Sequence, residues 1–131
     1  MSHSDVAPSV VSLEKIGQIA ITVDDLARAK DFYHKTLGMK FLFDAGHLAF
    51  LQCGDVRLML TTPEKLEPRG GTVLYYKVAD IHAARAELVA RGVEFLQEPH
   101  MIAKMPDHDL WMAFLKDTEG NTIGIMCEIR S

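Results

Sequence analysis

Apolar and polar positions follow two rhythms along this chain, first alternating and then helical, and the pair of rhythms occurs twice. From Lys15 to Val23 the residues Ile16, Ile19, Ile21 and Val23 are rich in β-branched side chains and predict a strand. Asp24 or Asp25 then caps a helix reaching Leu37, in which Leu26, Ala29, Phe32, Tyr33 and Leu37 recur at three- and four-residue steps. Gly38 stands where a left-handed C-cap is needed. Runs at 39–44, 47–53 and 56–62 predict three strands, with turns at Ala45-Gly46 and Gly54-Asp55. The first half therefore reads β-α-β-β-β. Residues 62–71, TPEKLEPRGG, predict a connector. The plan then restarts with a strand at 72–79, a helix from Asp80 to Arg91 closed by Gly92, and strands at 93–98, 110–116 and 121–129. PHMIAKMPDHD, residues 99–109, breaks the second copy only and is expected to be a loop of the kind that carries function.

The halves are diverged copies. Residues 19–42 align with 74–96 if one residue is gapped in the helix, which sets Val23, Asp25 and Leu26 over Val78, Asp80 and Ile81. Beyond the gap, Gly38, Lys40, Phe41 and Leu42 fall over Gly92, Glu94, Phe95 and Leu96. The tripeptide AFL at 49–51 recurs at 113–115. A shared plan implies a pseudo-twofold arrangement, so a common site would draw on equivalent strands of both halves. At 131 residues the chain has room for one core. The expected layout is a flexible tail at 1–14 and one domain at 15–129, divided into modules at 15–62 and 72–129 by the connector 62–71.

Composition narrows the functions. Apolar residues make up 48% and charged residues 24% of the chain, as in an ordinary globular protein. A net charge of −4 and the lack of any Lys/Arg run speak against a nucleic-acid partner. Cys53 and Cys127 form no spaced framework and read as reduced thiols of a cytoplasmic protein. The N-terminal residues have neither a basic segment nor a long apolar stretch, so neither a secretion signal nor a membrane span is expected.

With D-x-x-x-A-x-x-F-Y-x-x-x-L-G-M at 25–39 and D-x-x-G-N at Asp117, Gly120 and Asn121, the chain resembles the glyoxalase, bleomycin-resistance and extradiol-dioxygenase superfamily, also called vicinal oxygen chelate proteins. The likeness covers roughly residues 15–129. It implies an α+β fold of two tandem βαβββ modules forming a cup-shaped, mostly antiparallel sheet around a metal and a small substrate. It also implies a homodimer. Metal-binding members place one ligand at the start of the first strand and one on the last strand of each half. Those positions here fall on Gln18, on Met59 (Leu58 if the register slips), on Val73 and on Gly124. One neutral amide does not hold a transition metal that needs three or four donors, so no metal or other cofactor is expected. His47, His100, Asp107, His108 and Asp109 offer a displaced set, but turns and caps account for such residues.

Strand alternation then indicates what lines the cup. If Ile19, Ile21 and Val23 pack on the helix, the cup receives Gln18, Ala20, Thr22, Arg57, Met59, Val73, Tyr75, Lys77, Thr122, Gly124, Met126 and Glu128. Trp111, following the expected loop, is a candidate flat wall, and Met105 and Met112 add adaptable surface. The ligand-binding set is thus Gln18, Arg57, Met59, Tyr75, Lys77, Trp111 and Met126. The leading expectation is a metal-free protein binding an apolar or aromatic compound. The alternative is a glyoxalase-like lyase or isomerase, or a dioxygenase-like enzyme. It would act through a displaced metal or through acid-base chemistry, for which His108 and Glu128 are the candidates.

Overall fold

The computed structural model of the chain describes residues 11, 14–62 and 72–130. The expected tail and connector lie almost wholly outside these residues. The first half runs β1 (Gln18–Thr22), α1 (Leu26–Asp31), a π-helical continuation (Phe32–Thr36), β2 (Lys40–Ala45), β3 (Leu48–Cys53) and β4 (Val56–Thr61). The second runs β5 (Leu74–Lys77), α2 (Ile81–Ala90), β6 (Phe95–Lys104), β7 (Asp109–Lys116) and β8 (Thr122–Ile129). Each half is a four-stranded sheet, ordered β1-β4-β3-β2 in one and β5-β8-β7-β6 in the other. The fold is α+β as expected. Each sheet is mixed, with β1–β4 and β5–β8 parallel and the other pairs antiparallel.

The same local chemistry starts and stops both helices. Asp25 accepts from the Arg28 backbone N–H at 3.0 Å, and Asp80 accepts from those of His82 and Ala83 at 3.0 and 3.1 Å. Gly38 and Gly92 turn the chain out of each helix at φ of 81° and 91°, where a β-carbon would be strained. Between these anchors the first helix holds one extra residue. Its last turn widens to accommodate it, with Leu37 N–H donating to Phe32 C=O at 2.9 Å and Met39 N–H reaching back six residues to Tyr33 C=O at 3.0 Å. At the equivalent exit, Val93 N–H reaches back five residues to Leu88 C=O at 3.0 Å. The gap in the sequence repeat is therefore a π-turn.

Three strand expectations are corrected. The first hairpin turns on Gly46-His47, because Ala45 still pairs with Leu48. The segment 99–109 is not a loop. β6 runs through Pro99 to Lys104, and only the short turn at 105–108 separates it from β7. The strand tolerates Pro99 because β6 is an edge strand and its register shifts between Gln97 and His100, where no ladder hydrogen bond is required. The first strand of the second half is also shorter than expected, covering Leu74–Lys77.

One core serves both halves. Val23, Ala29, Tyr33, Leu51, Leu58, Leu60, Ile81, Leu115 and Cys127 are buried in a single cluster between the helices and the sheets. Glu119 joins the halves electrostatically. Its carboxylate, wholly removed from solvent, accepts from the backbone N–H groups of Asp24 and Asp25 at 2.9 and 2.8 Å, and from Arg28 Nε at 2.7 Å. Tyr33 donates its buried hydroxyl to Asp117 Oδ2 at 2.7 Å, and Asn121 donates to Thr22 C=O at 3.1 Å. The D-x-x-G-N turn is thus a clasp onto β1 and α1. Burial alone would raise the Glu119 pKa, but Arg28, Thr118 and the two N–H groups bring it down to about 2. For Tyr33, burial and the adjacent Asp117 push the phenol far above its ordinary value.

Candidate functional site

The tripeptide AFL shows how the sheets present their two faces. Ala49, Leu51, Ala113 and Leu115 are all fully buried against the helices, so the intervening Phe50 and Phe114 point to the helix-free faces. The halves match in register as well. Val23 N–H donates to Thr61 C=O and Val78 N–H to Met126 C=O, which makes Met59 and Gly124 equivalent two residues earlier. Phe50 lies opposite Met59 and Phe114 opposite Gly124.

On the first sheet the helix-free face brings together three expected residues. Arg57 Nε donates to Gln18 Oε1 at 2.8 Å, and the Gln18 amide nitrogen lies 3.7 Å from Met59 Sδ. The Arg57 guanidinium sits 5.3 Å from the Phe50 ring centre, and Phe50 stacks on Phe43 at 4.6 Å with 27° between planes. A β-bulge carries Phe43 there. The register steps from Phe41–Leu51 to Phe43–Phe50, so Leu42 is extra and Phe41 and Phe43 fall on opposite faces. Phe41 instead meets the helix, with His34 at 6.4 Å and Lys30 at 5.0 Å.

The second sheet presents Tyr75, Lys77, Phe114, Met126 and Glu128. Tyr75 packs edge-on to Phe114 at 5.7 Å, across Gly124. A β-carbon at Gly124 would stand 2.6 Å from a Tyr75 ring carbon, so the ring occupies the space above that backbone. Lys77 reaches Glu128 at 3.4 Å. His108 lies between two carboxylates, with Nδ1 2.7 Å from Asp107 and Nε2 3.8 Å from Glu128, and Arg130 pairs with both acids. Arg130 and then His108 hold the Asp107 carboxyl down at about 2. His100 is set apart, its ring bonded to Glu98 C=O at 2.8 Å.

Trp111 does not belong to this set. It pairs with Cys127 in register and packs on the helix side, 5.1 Å from the His82 ring of α2. The expectation of a flat wall is corrected because Trp111 stands two residues before Ala113 and so shares the helix-facing parity of Ala113 and Leu115. Sequence reasoning missed Phe43, Phe50 and Phe114. The AFL echo, which sets a phenylalanine between two apolar residues in each half, signalled the last two, whereas the bulge that turns Phe43 had no local signal.

The metal positions offer poor chemistry for a cation. Gln18 contributes the one polar donor, and its oxygen already accepts from a guanidinium. A cation there would face Arg57 at close range. Met59 supplies a thioether, Val73 an alkyl group, and Gly124 lies under Tyr75. Among the described residues no three His, Cys, Asp or Glu side chains gather as a metal set. These residues do not fit a divalent metal.

A separate cavity of about 170 Å³ lies between the halves, where the free edges of β1 and β5 approach. Ile19, Ile21, Leu74, Tyr76 and Ile123 line it. The Tyr76 hydroxyl is buried without a hydrogen-bond partner among the described residues, and burial raises its pKa. No hydrogen bond, ion pair or ring contact joins the helix-free face of one sheet to that of the other among the described residues.

Two mixed sheets, each backed by one helix and carrying aromatic side chains on its other face, define a paired-βαβββ protein. The sequence places it in a known group. A profile of the Glyoxalase/Bleomycin resistance protein/Dioxygenase superfamily matches residues 15–125, and the chain belongs to that superfamily. A protein of Mycolicibacterium smegmatis (strain ATCC 700084 / mc(2)155) is 32% identical over 91 residues, 69% of this chain and 78% of its own. An antibiotic-binding protein from Streptomyces sp. CB03234 superposes with a TM-score of 0.72 at 26% identity, covering 90% of this chain and 98% of that one. Lactoylglutathione lyase from Agrobacterium tumefaciens superposes with a TM-score of 0.70 at 21% identity, covering 86% and 92%. That second likeness is one of fold.

Proposed function

We propose that this protein binds an apolar or aromatic small molecule on the helix-free faces of its sheets, in the manner of a sequestering protein and without a metal. The observation that carries the reading is the composition of those faces. Phe43, Phe50 and Met59 on one sheet, and Tyr75, Phe114 and Met126 on the other, offer flat and adaptable surface. The donors of a metal enzyme are replaced at the same positions. The likeness to an antibiotic-binding protein supports this choice over the lyase. Cys53 and Cys127 are free thiols, in keeping with a cytoplasmic setting. Among the described residues each face stands open, and a second copy in a homodimer completes the cup.

The test is equilibrium dialysis against a panel of arenes, repeated with Met59→Trp to fill the first face, alongside elemental analysis. Binding lost in the filled but folded variant, with no stoichiometric metal, is the expected result. One equivalent of Ni, Zn, Fe or Mn retained after dialysis, or binding unchanged in Met59→Trp, would contradict the reading.

The chain Asp107–His108–Glu128 favours a second reading, a metal-free acid-base catalyst, since a carboxylate orients the imidazole while its other nitrogen faces the sheet surface. Turnover of any carbonyl or epoxide substrate that disappears in His108→Gln would establish it.

A further inference from the structure

The helix-free face of the first sheet carries a positive charge that no acid among the described residues answers. Arg28, Arg85, Arg91 and Arg130 each meet a Glu or Asp carboxylate. Arg57 meets none among the described residues. Among the described residues its only polar partner is the neutral Gln18 amide, through Nε at 2.8 Å. Followed across the register, from Gln18 and Thr22 of β1 through Gln52 and Phe50 of β3 to Lys40 of β2, the described residues of its face include no acid. This is unusual in a chain of net charge −4. The Gln18 bond and the Phe50 ring hold the guanidinium in one orientation, and both terminal Nη groups keep their donors unassigned. A pre-oriented planar fork of this kind pairs with a planar oxyanion at smaller entropic cost than a free side chain. Beside it, the stacked Phe50 and Phe43 offer a flat apolar platform with no further donors.

From this juxtaposition we infer that Arg57, Phe50 and Phe43 form a recognition element for an arene bearing a single carboxylate. The carboxylate pairs with the Arg57 Nη groups and the ring lies on the phenylalanine pair. The inference rests on the small-molecule reading and names its ligand class.

Two probes of nearly equal shape separate the claims: naphthalene-2-carboxylate and 2-(hydroxymethyl)naphthalene, titrated calorimetrically into the full-length chain. The carboxylate should bind about tenfold more tightly than the alcohol, as one charge-assisted contact at a partly solvated site provides. Arg57→Met should erase that preference, and Arg57→Lys should retain part of it. Because Arg57 is exposed, both variants should melt like the parent, which circular dichroism checks. Equal binding of the two probes to the parent, or a preference that survives Arg57→Met, overturns the inference and leaves the small-molecule reading intact. A dimer that falls to monomer in Arg57→Met would show that the guanidinium answers a second copy, which also overturns it. Binding of neither probe, or binding of both unaltered in Met59→Trp, overturns the inference and the small-molecule reading together.

Discussion

Single side chains decide both how the halves hold together and what their open faces offer. Glu119 is the clearest case, since a carboxylate without solvent access takes hydrogen bonds from Asp24, Asp25, Arg28 and Thr118. Replacing it with Ala should cost about 3 kcal/mol in denaturant unfolding, because buried N–H groups lose their acceptor. Its pH dependence has a definite sign. The folded pKa of about 2 lies below the ordinary 4.5, so its contribution is complete above about pH 4.5 and is lost as pH falls toward 2. Glu119→Gln should therefore flatten the acid limb of a stability-versus-pH curve. An unchanged acid limb would mean that other carboxylates set it. Gly124 is decided by space instead. An added methyl at 2.6 Å from the Tyr75 ring should cost about 1–2 kcal/mol in Gly124→Ala. Because Tyr75 is 45% exposed, the ring can swing outward, and Tyr75→Ala should remove most of that cost in the double variant. Additive losses would show that the crowding comes from Phe114.

At the level of elements, the informative departures from regularity are the π-turn and the bulge of β2. The π-turn holds one residue more than the matching exit of α2, and both exits deliver a glycine and then a core residue, Met39 or Val93. Deleting Lys35, an exposed residue of the π segment, should convert the turn to the α2 geometry. The expected outcome is a folded protein whose hydrogen-exchange protection at Leu37 and Met39 is retained. Loss of the fold would show that the wider turn is needed to bring Tyr33 to Asp117. Both features also mark how far a sequence reading carries. Helix starts were legible because a capping aspartate is a local interaction, and strand parity was legible in β1, β4 and β8 because apolar residues alternate there. Residues 99–109 looked like a loop because Pro99 and the acidic end imitate one, and the edge position that makes proline tolerable is not a local property.

For the whole molecule, exposed apolar side chains lie on the outer strand of the second sheet. Leu96, Met101 and Ile102 of β6, with Met105 just beyond, are between 42% and 57% exposed. An apolar edge of this kind invites association, and the free edges of β1 and β5 add unpaired backbone groups. The expected mass by light scattering at micromolar concentration is a dimer of the 14.6 kDa chain. A monomer would separate this protein from the assembly proposed for its cup. Among the described residues no helix is long and apolar enough to cross a membrane.

What the sequence determined by itself was the repeat, the order of elements, the superfamily, and the side chains standing at Gln18, Met59, Val73 and Gly124. Each of these follows from the identity of residues and their spacing. Only the tertiary structure decided that Trp111 packs on α2, that a bulge presents Phe43, that Tyr75 covers Gly124, and that Arg57 meets no acid among the described residues. These depend on register, on edge position and on which charges end up within a few ångströms of one another. Such properties arise between segments distant in the chain, where local pattern carries no information.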